Sequence, residues 1–240
     1  MTKISCLTTF LIIISLAGCQ STSSSTIKDQ ELIASMEKVD NYDGLIAHYK
    51  SQLESGVATD EVMEKLAWAY FDKGDIESSS FYVEHLIQQG VSTPGLYQLK
   101  GQVAESNDML DIAIESYLDS LALGSTSGQL HILLGVAYSK ADEYQLSRKH
   151  FNQARLLGVD DVTIKNNLAM LYLAQHDYQR VIDILVPVVR DNPNNTKVRA
   201  NLAIALIKND QFEAARQLLD SDYSDREMML IYQQLSVTGS

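Results

Sequence analysis

The chain has 240 residues, enough for one sizeable core or for an array of several repeats. With 45% hydrophobic and 21% charged residues, only 3 prolines and 12 glycines, it has a soluble protein's composition and can be helical over most of its length. A net charge of -12 argues against nucleic acid or an anionic lipid surface as the main partner, and is also what a well-solvated surface carries. The two cysteines, Cys6 and Cys19, lie within or at the end of an N-terminal leader, so the remainder has no disulfide framework and no cysteine metal site.

The leader comes first. Lys3 gives a short basic start, residues 4–17 are mostly apolar, and the small residues Ala17 and Gly18 follow. This is the tripartite layout of a secretory signal, too short to span a membrane. Leu16-Ala17-Gly18-Cys19 resembles the lipobox of bacterial lipoproteins. The resemblance implies that residues 1–18 are removed and that Cys19 carries acyl chains on its sulfur and its nitrogen. Several chains, at about 0.8 kcal/mol per buried methylene, hold a protein far longer than one. An ordinary signal that happens to end near a cysteine is the alternative. Residues 19–27, rich in Ser and Thr, read as a flexible tether behind the lipidated cysteine. By the sorting pattern of proteobacterial lipoproteins, Gln20 rather than Asp after the cysteine implies a lipid-anchored protein on the periplasmic face of the outer membrane.

Beyond the tether a period of 34 residues sets in. Gly56, Gly90, Gly124 and Gly158 are spaced by it, and the next slot is Asn192, followed by Pro193. Each is expected to be a helix C-cap in the left-handed conformation, with Asn192 standing in for glycine. In units starting at 60, 94, 128, 162 and 196, the eighth position is small (Ala67, Gly101, Gly135, Ala169, Ala203). So, mostly, is the twentieth (Ser79, Ala113, Ser147, Val181, Ala215). The twenty-fourth is large and apolar (Val83, Tyr117, Phe151, Leu185, Leu219). Small side chains at the eighth and twentieth positions let two antiparallel helices approach closely, and short polar turns such as Ala141-Asp142-Glu143 separate them. Within each half the apolar residues recur at three and four, as an amphipathic helix requires.

The pattern resembles the tetratricopeptide repeat (TPR), whose small-small-aromatic signature has this period. The expected fold class is therefore all-α, a right-handed superhelical solenoid of TPR helical hairpins. Residues 28–59 read as a degenerate N-terminal repeat and 60–223 as five units. The fourth position departs from the family's large apolar residue, with Met63, Tyr97, His131, Lys165 and Arg199. The third is apolar throughout (Val62, Leu96, Leu130, Ile164, Val198), so a slightly rotated seam is expected. Residues 224–240 read as a capping helix and tail, opened by a capping box of Ser224 and Glu227; the helix either covers the end of the stack or lies in its groove.

No catalytic constellation is present. His48, His85, His131, His150 and His176 have no ligand partner at a familiar metal spacing and are assigned to the surface or the seam. No phosphate-cradling glycine loop and no nucleophile elbow occurs. The expectation is no enzyme, no metal and no cofactor. A binding site is a different matter. In TPR proteins the first helices line a groove, and carried over to this sequence the resemblance points to Trp68, Ile132, Val136, Asn166, Asn167, Met170, Leu173, Asn201, Ile204 and Ile207. An apolar groove with amide rungs suits a peptide or helix of a partner, because an Asn side chain donates and accepts at once. The same apolar residues could equally pack neighbouring first helices.

Residues 166–219, with Asn166-Asn167-Leu168-Ala169-Met170, Leu185-Val186-Pro187 and Val198-Arg199-Ala200-Asn201-Leu202-Ala203, resemble the TadD repeat lipoproteins of the Tad (Flp) tight-adherence pilus system. The resemblance implies a role in assembling a secretin or another pilus component. A pilotin-like lipoprotein of type IV pili, or an envelope adaptor for cell-wall enzymes, shares anchor and fold and stays open as an alternative.

Overall fold

The computed structural model describes residues 20–56, 59–219, 224, 226–227, 230 and 233–234. Cys19 and the leader lie outside the described residues, as do Met228, Met229, Ile231, Tyr232 and Leu235 of the expected terminal helix. The described residues are helical, joined by short turns, with no strand among them. The chain divides into two compact units, residues 1–75 and 76–240, so the division falls inside the repeat expected to begin at 60.

The first unit holds α1 (Gln20–Lys38), α2 (Tyr42–Glu54) and α3 (Asp60–Lys73). Residues 20–26, expected to form a flexible tether, are instead the first turns of α1, since each residue added to an existing helix closes one more hydrogen bond without a new nucleus. Leu45, Ile46 and Tyr49 of α2 and Leu66, Ala67 and Tyr70 of α3 supply its buried apolar surface. The second unit holds α4 (Ile76–Gln88), α5 (Pro94–Ser106), α6 (Leu110–Ala122), α7 (Gly128–Lys140), α8 (Tyr144–Leu156), α9 (Asp161–Ala174), α10 (Tyr178–Asp191), α11 (Thr196–Lys208) and α12 (Phe212–Leu219). Consecutive helices from α4 onward pack on one another, and α9 also touches α7 and α11.

The helices do approach closely at the small residues, and what fills the space opposite the glycines is a large ring. Tyr117 and Phe151 are fully buried, and a Cβ added at Gly101 or Gly135 would overlap the Tyr117 or Phe151 ring respectively. Third-position residues Leu96, Leu130, Ile164 and Val198 are at most 1% exposed, whereas the fourth-position residues are half-buried, so the seam is rotated as their chemistry implies.

Two kinds of cap define each turn. Every first helix is opened by a side chain that accepts a backbone N–H: Thr59, Thr93, Ser127, Asp160 and Asn195 do so at α3, α5, α7, α9 and α11. Gly56, Gly90, Gly124 and Gly158 have φ of 84°, 85°, 99° and 88°, confirming the left-handed caps. Asn192 does not join them: its φ is -134°. Pro193 follows it, and a residue before proline is driven into extended backbone, so Asn192 ends α10 with its side-chain amide on the Val188 carbonyl at 3.3 Å. A second left-handed series runs through the turns inside the repeats, at Gly74, Asp108, Asp142, His176 and Asp210. The next residue's N–H reaches back to the carbonyl five residues earlier, as from Met109 to Ala104 and from Glu143 to Tyr138, both at 2.9 Å.

Past α12, Ser224 and Glu227 form the expected capping box: Ser224 N–H and Oγ donate to the Glu227 carboxylate at 2.8 and 2.6 Å, and Glu227 N–H donates to Ser224 Oγ at 3.4 Å. Residues 226–227, 230 and 233–234 are helical.

Candidate functional site

The ten groove positions separate into four groups. Ile132 and Ile207 are buried, 6% and 3% exposed. Ile132 packs with Phe151, Ile164 and Leu171, and Ile207 with Leu202, Leu206 and Val198. Both were expected to face a partner; both instead fill the contact between helices, because adjacent first helices close over apolar residues at these positions. Asn201 is also buried, and its Nδ2 donates to Asn166 Oδ1 at 2.8 Å, tying α11 to α9. The expected pair of rungs at Asn167 and Asn201 is thus replaced by an internal Asn166–Asn201 amide pair. Asn167 donates one turn back to the Thr163 carbonyl at 2.9 Å, so one amide N–H is spent within its own helix.

The third group is what faces outward. Met170 on α9 is 48% exposed, and Val136 on α7, Asn167 and Ile204 are half-buried; Leu173 is half-buried against the α9–α11 core. Asn167 borders two cavities. One, of about 250 Å³, is apolar at its base, with Val136, Phe151, Met170 and Ala174, and polar at its edge, with Ser139 and Lys140. The other, of about 280 Å³, is polar, with Gln129, Thr163, Asn166, Asn195 and Lys197 over Ile132. The charged residues bordering these two cavities are lysines, although the chain as a whole is acidic; Lys140 Nζ is held by the Glu105 carboxylate at 2.6 Å. Gln129, Lys140, Thr163 and Lys197 were missed from the sequence. They occupy the second and thirteenth positions of their repeats, where polar side chains carry no periodic pattern that would mark them.

Trp68 forms the fourth group alone. It sits on α3 in residues 1–75, beside a cavity of about 430 Å³, and belongs to the other compact unit.

One pairing was unreadable from spacing. His131 Nδ1 and His150 Nδ1 are 2.9 Å apart across the α7–α8 hairpin, and the Tyr138 ring stacks on His150 at 5.4 Å between centroids. Burial pushes both imidazoles down, and His131 and Lys149 push His150 further, to about 4. At neutral pH the pair is uncharged, one ring donating to the other, which accounts for a histidine at the apolar fourth position. Among the described residues, no three of His, Cys, Asp and Glu gather as metal ligands, and no helix is long and apolar enough to cross a membrane.

The comparisons agree with this architecture. A tetratricopeptide repeat family model matches residues 172–222. A TPR protein of Parabacteroides merdae ATCC 43184 superposes with a TM-score of 0.69 at 10% identity, covering 88% of this chain and 86% of that one. The Cut9–Hcn1 hetero-tetramer of APC/C gives 0.65 at 22% identity over 72% of this chain, which spans only 35% of the chain it matches. The Pseudomonas aeruginosa pilF protein gives 0.58 at 17% identity, covering 75% of this chain and 83% of that one. No curated protein sequence matches. The fold is that of the TPR proteins: helical hairpins repeated along the chain, with a recognisable TPR sequence signature in residues 172–222.

Proposed function

We propose that this chain is a lipid-anchored TPR scaffold that binds protein partners on the periplasmic face of the outer membrane and assists assembly of a Tad/Flp-type pilus, its secretin being the foremost candidate partner. The observation that carries the binding reading is the outward face of α7 and α9. Met170 stands exposed there on the apolar cavity, and Asn167 borders both that cavity and the polar one. An exposed methionine beside half-buried apolar walls, rimmed by Ser139, Lys140, Gln129 and Lys197, suits an extended segment or helix of a partner. The anchor is supported by Leu16-Ala17-Gly18-Cys19 and the pilus role by the TadD-like residues 166–219. A second reading, a pilotin-like role in type IV pili, uses the same anchor and the same face, and the fold shared with Pseudomonas aeruginosa pilF is compatible with it.

The test is deletion of the gene followed by complementation. Loss of secretin multimers and surface pili, restored by the wild-type chain and not by Cys19→Ala, is the expected result. Unchanged multimers would refute the assembly role, and normal fatty-acid labelling of Cys19→Ala would refute the anchor. Neighbouring genes for a secretion ATPase and a small pilin separate Tad from type IV assembly.

A further inference from the structure

The cavity beside Trp68 belongs to the unit of residues 1–75. Three helices build it. Residues 65, 68, 69 and 72 form one stripe along α3, α2 contributes Tyr42, Leu45 and Tyr49, and α1 contributes Glu37 from its last turn. At about 430 Å³ it is larger than either groove cavity and is sized for a side chain rather than a bare ion.

Its lining is mixed: Tyr49 is buried, Tyr42 and Trp68 are half-buried, and Glu37, Lys65 and Asp72 are exposed. Three aromatic rings, Tyr42, Tyr49 and Trp68, border it together with two carboxylates, Glu37 and Asp72. Partial burial pushes the Asp72 carboxyl up, and the nearby Glu37 charge pushes it further. Neither acid forms an ion pair among the described residues. The one cation in the lining, Lys65, is already engaged: its Nζ donates to Glu61, one turn back on α3, at 2.7 Å. Tyr42 likewise directs its hydroxyl to Asp40 at 3.0 Å. Ring faces and carboxylates both attract a cation, the first through their quadrupoles and the second by charge. A plain apolar ligand would leave the two acids in repulsion. A guanidinium answers both features, since it stacks on aromatic faces, pairs with carboxylates through a planar fork of donors, and is weakly hydrated.

We infer that the Tyr42–Tyr49–Trp68 cavity, with Glu37 and Asp72, is a binding site for an arginine side chain of a partner protein. The site is independent of the pilus reading and of the α7–α9 face. Its specificity is electrostatic: an occupant of the same shape without the charge is rejected.

Trp68 is the only tryptophan of the chain, so intrinsic fluorescence reports on this cavity directly. The experiment titrates the full chain, at low salt, with a short acetylated and amidated Gly-Arg-Gly peptide and with its citrulline counterpart, which keeps the shape and loses the charge. A saturable change in emission with the arginine peptide, at least tenfold weaker with citrulline, is expected. Asp72→Asn and Glu37→Gln should each weaken the arginine response several-fold, with helical circular dichroism checking that each variant is folded. Lys65→Met should strengthen it by removing a positive charge that repels the incoming guanidinium and attracts Glu37, a gain that no folding defect can mimic. Equal responses to the two peptides, no saturable response to either, or a Lys65→Met variant that binds more weakly would overturn the assignment.

Discussion

The seam inside the hairpins and the outward face of the first helices obey different rules. At the seam the residue type repeats from unit to unit: Gly101 lies under Tyr117, and Gly135 under Phe151 in the same geometry. On the outward face the residue type varies more: the ninth position is Trp68, Gln102, Val136, Met170 and Ile204 in successive repeats. The seam is fixed because two helices of constant separation must be filled to the density of a solid, so a change of one side chain must be met by its opposite. The outward face has no such neighbour to satisfy, and its variety is available for recognition. Position within the repeat therefore predicts whether a substitution acts on stability or on binding.

The largest effect is expected where the seam is tightest. Gly135→Leu places a branched side chain where even a Cβ would overlap the Phe151 ring. The two helices must separate or Phe151 must leave its buried position. Overpacking of this kind costs about 1–3 kcal/mol, which lowers the melting temperature of a chain this size by several degrees. Thermal unfolding followed by circular dichroism checks it, and a melting temperature equal to wild type would show that α7 and α8 do not pack at this point.

The seam was legible in the sequence for the same reason that it is sensitive. Its constraint is local, repeated and carried by residue size, so the spacing of Gly101 and Gly135 exposed the close approach, while the rings of Tyr117 and Phe151 that face them emerged from the structure. The left-handed turns inside the repeats were less legible: Asp108, Asp142 and Asp210 take a conformation usually marked by glycine, and their acidity read only as turn polarity. Asn192 departs from the glycine series because Pro193 restrains its predecessor's backbone, which the 34-residue spacing does not encode. The groove was half legible. Whether a residue on a first helix meets solvent or the next helix depends on the lateral distance between neighbours, which no single repeat encodes, and Ile132, Asn201 and Ile207 fell on the buried side. The His131–His150 contact depends on the pairing of two helices across 19 residues and carries no motif.

A smaller effect, of opposite sign, is expected at another seam position. Ser147 is fully buried at the twentieth position, and its hydroxyl has no hydrogen-bond partner among the described residues. Units one before and two after place Ala113 and Ala215 there, both fully buried. Ser147→Ala removes an unsatisfied polar atom without changing the backbone and should raise stability by about 1 kcal/mol. Chemical denaturation measures this as a shift in midpoint at constant slope; a loss of stability would mean that the hydroxyl is satisfied in solution.

The smallest effect on folding should coincide with the largest on recognition. Met170 is 48% exposed on α9, so Met170→Glu neither opens a cavity nor buries a charge, and surface changes of this kind stay within about 0.5 kcal/mol. In the groove, however, the new carboxylate would stand beside Lys140 and Asn167 and in the path of any apolar side chain entering the cavity that Val136 and Phe151 line. A buried apolar anchor removed from an interface typically weakens binding by more than 1 kcal/mol, about tenfold or more in affinity. Met170→Glu should therefore melt like wild type and fail to restore secretin multimers in the deletion strain. Full restoration by a stable Met170→Glu chain would move the partner surface off α7 and α9, and would leave the variety of the ninth position without a recognition role.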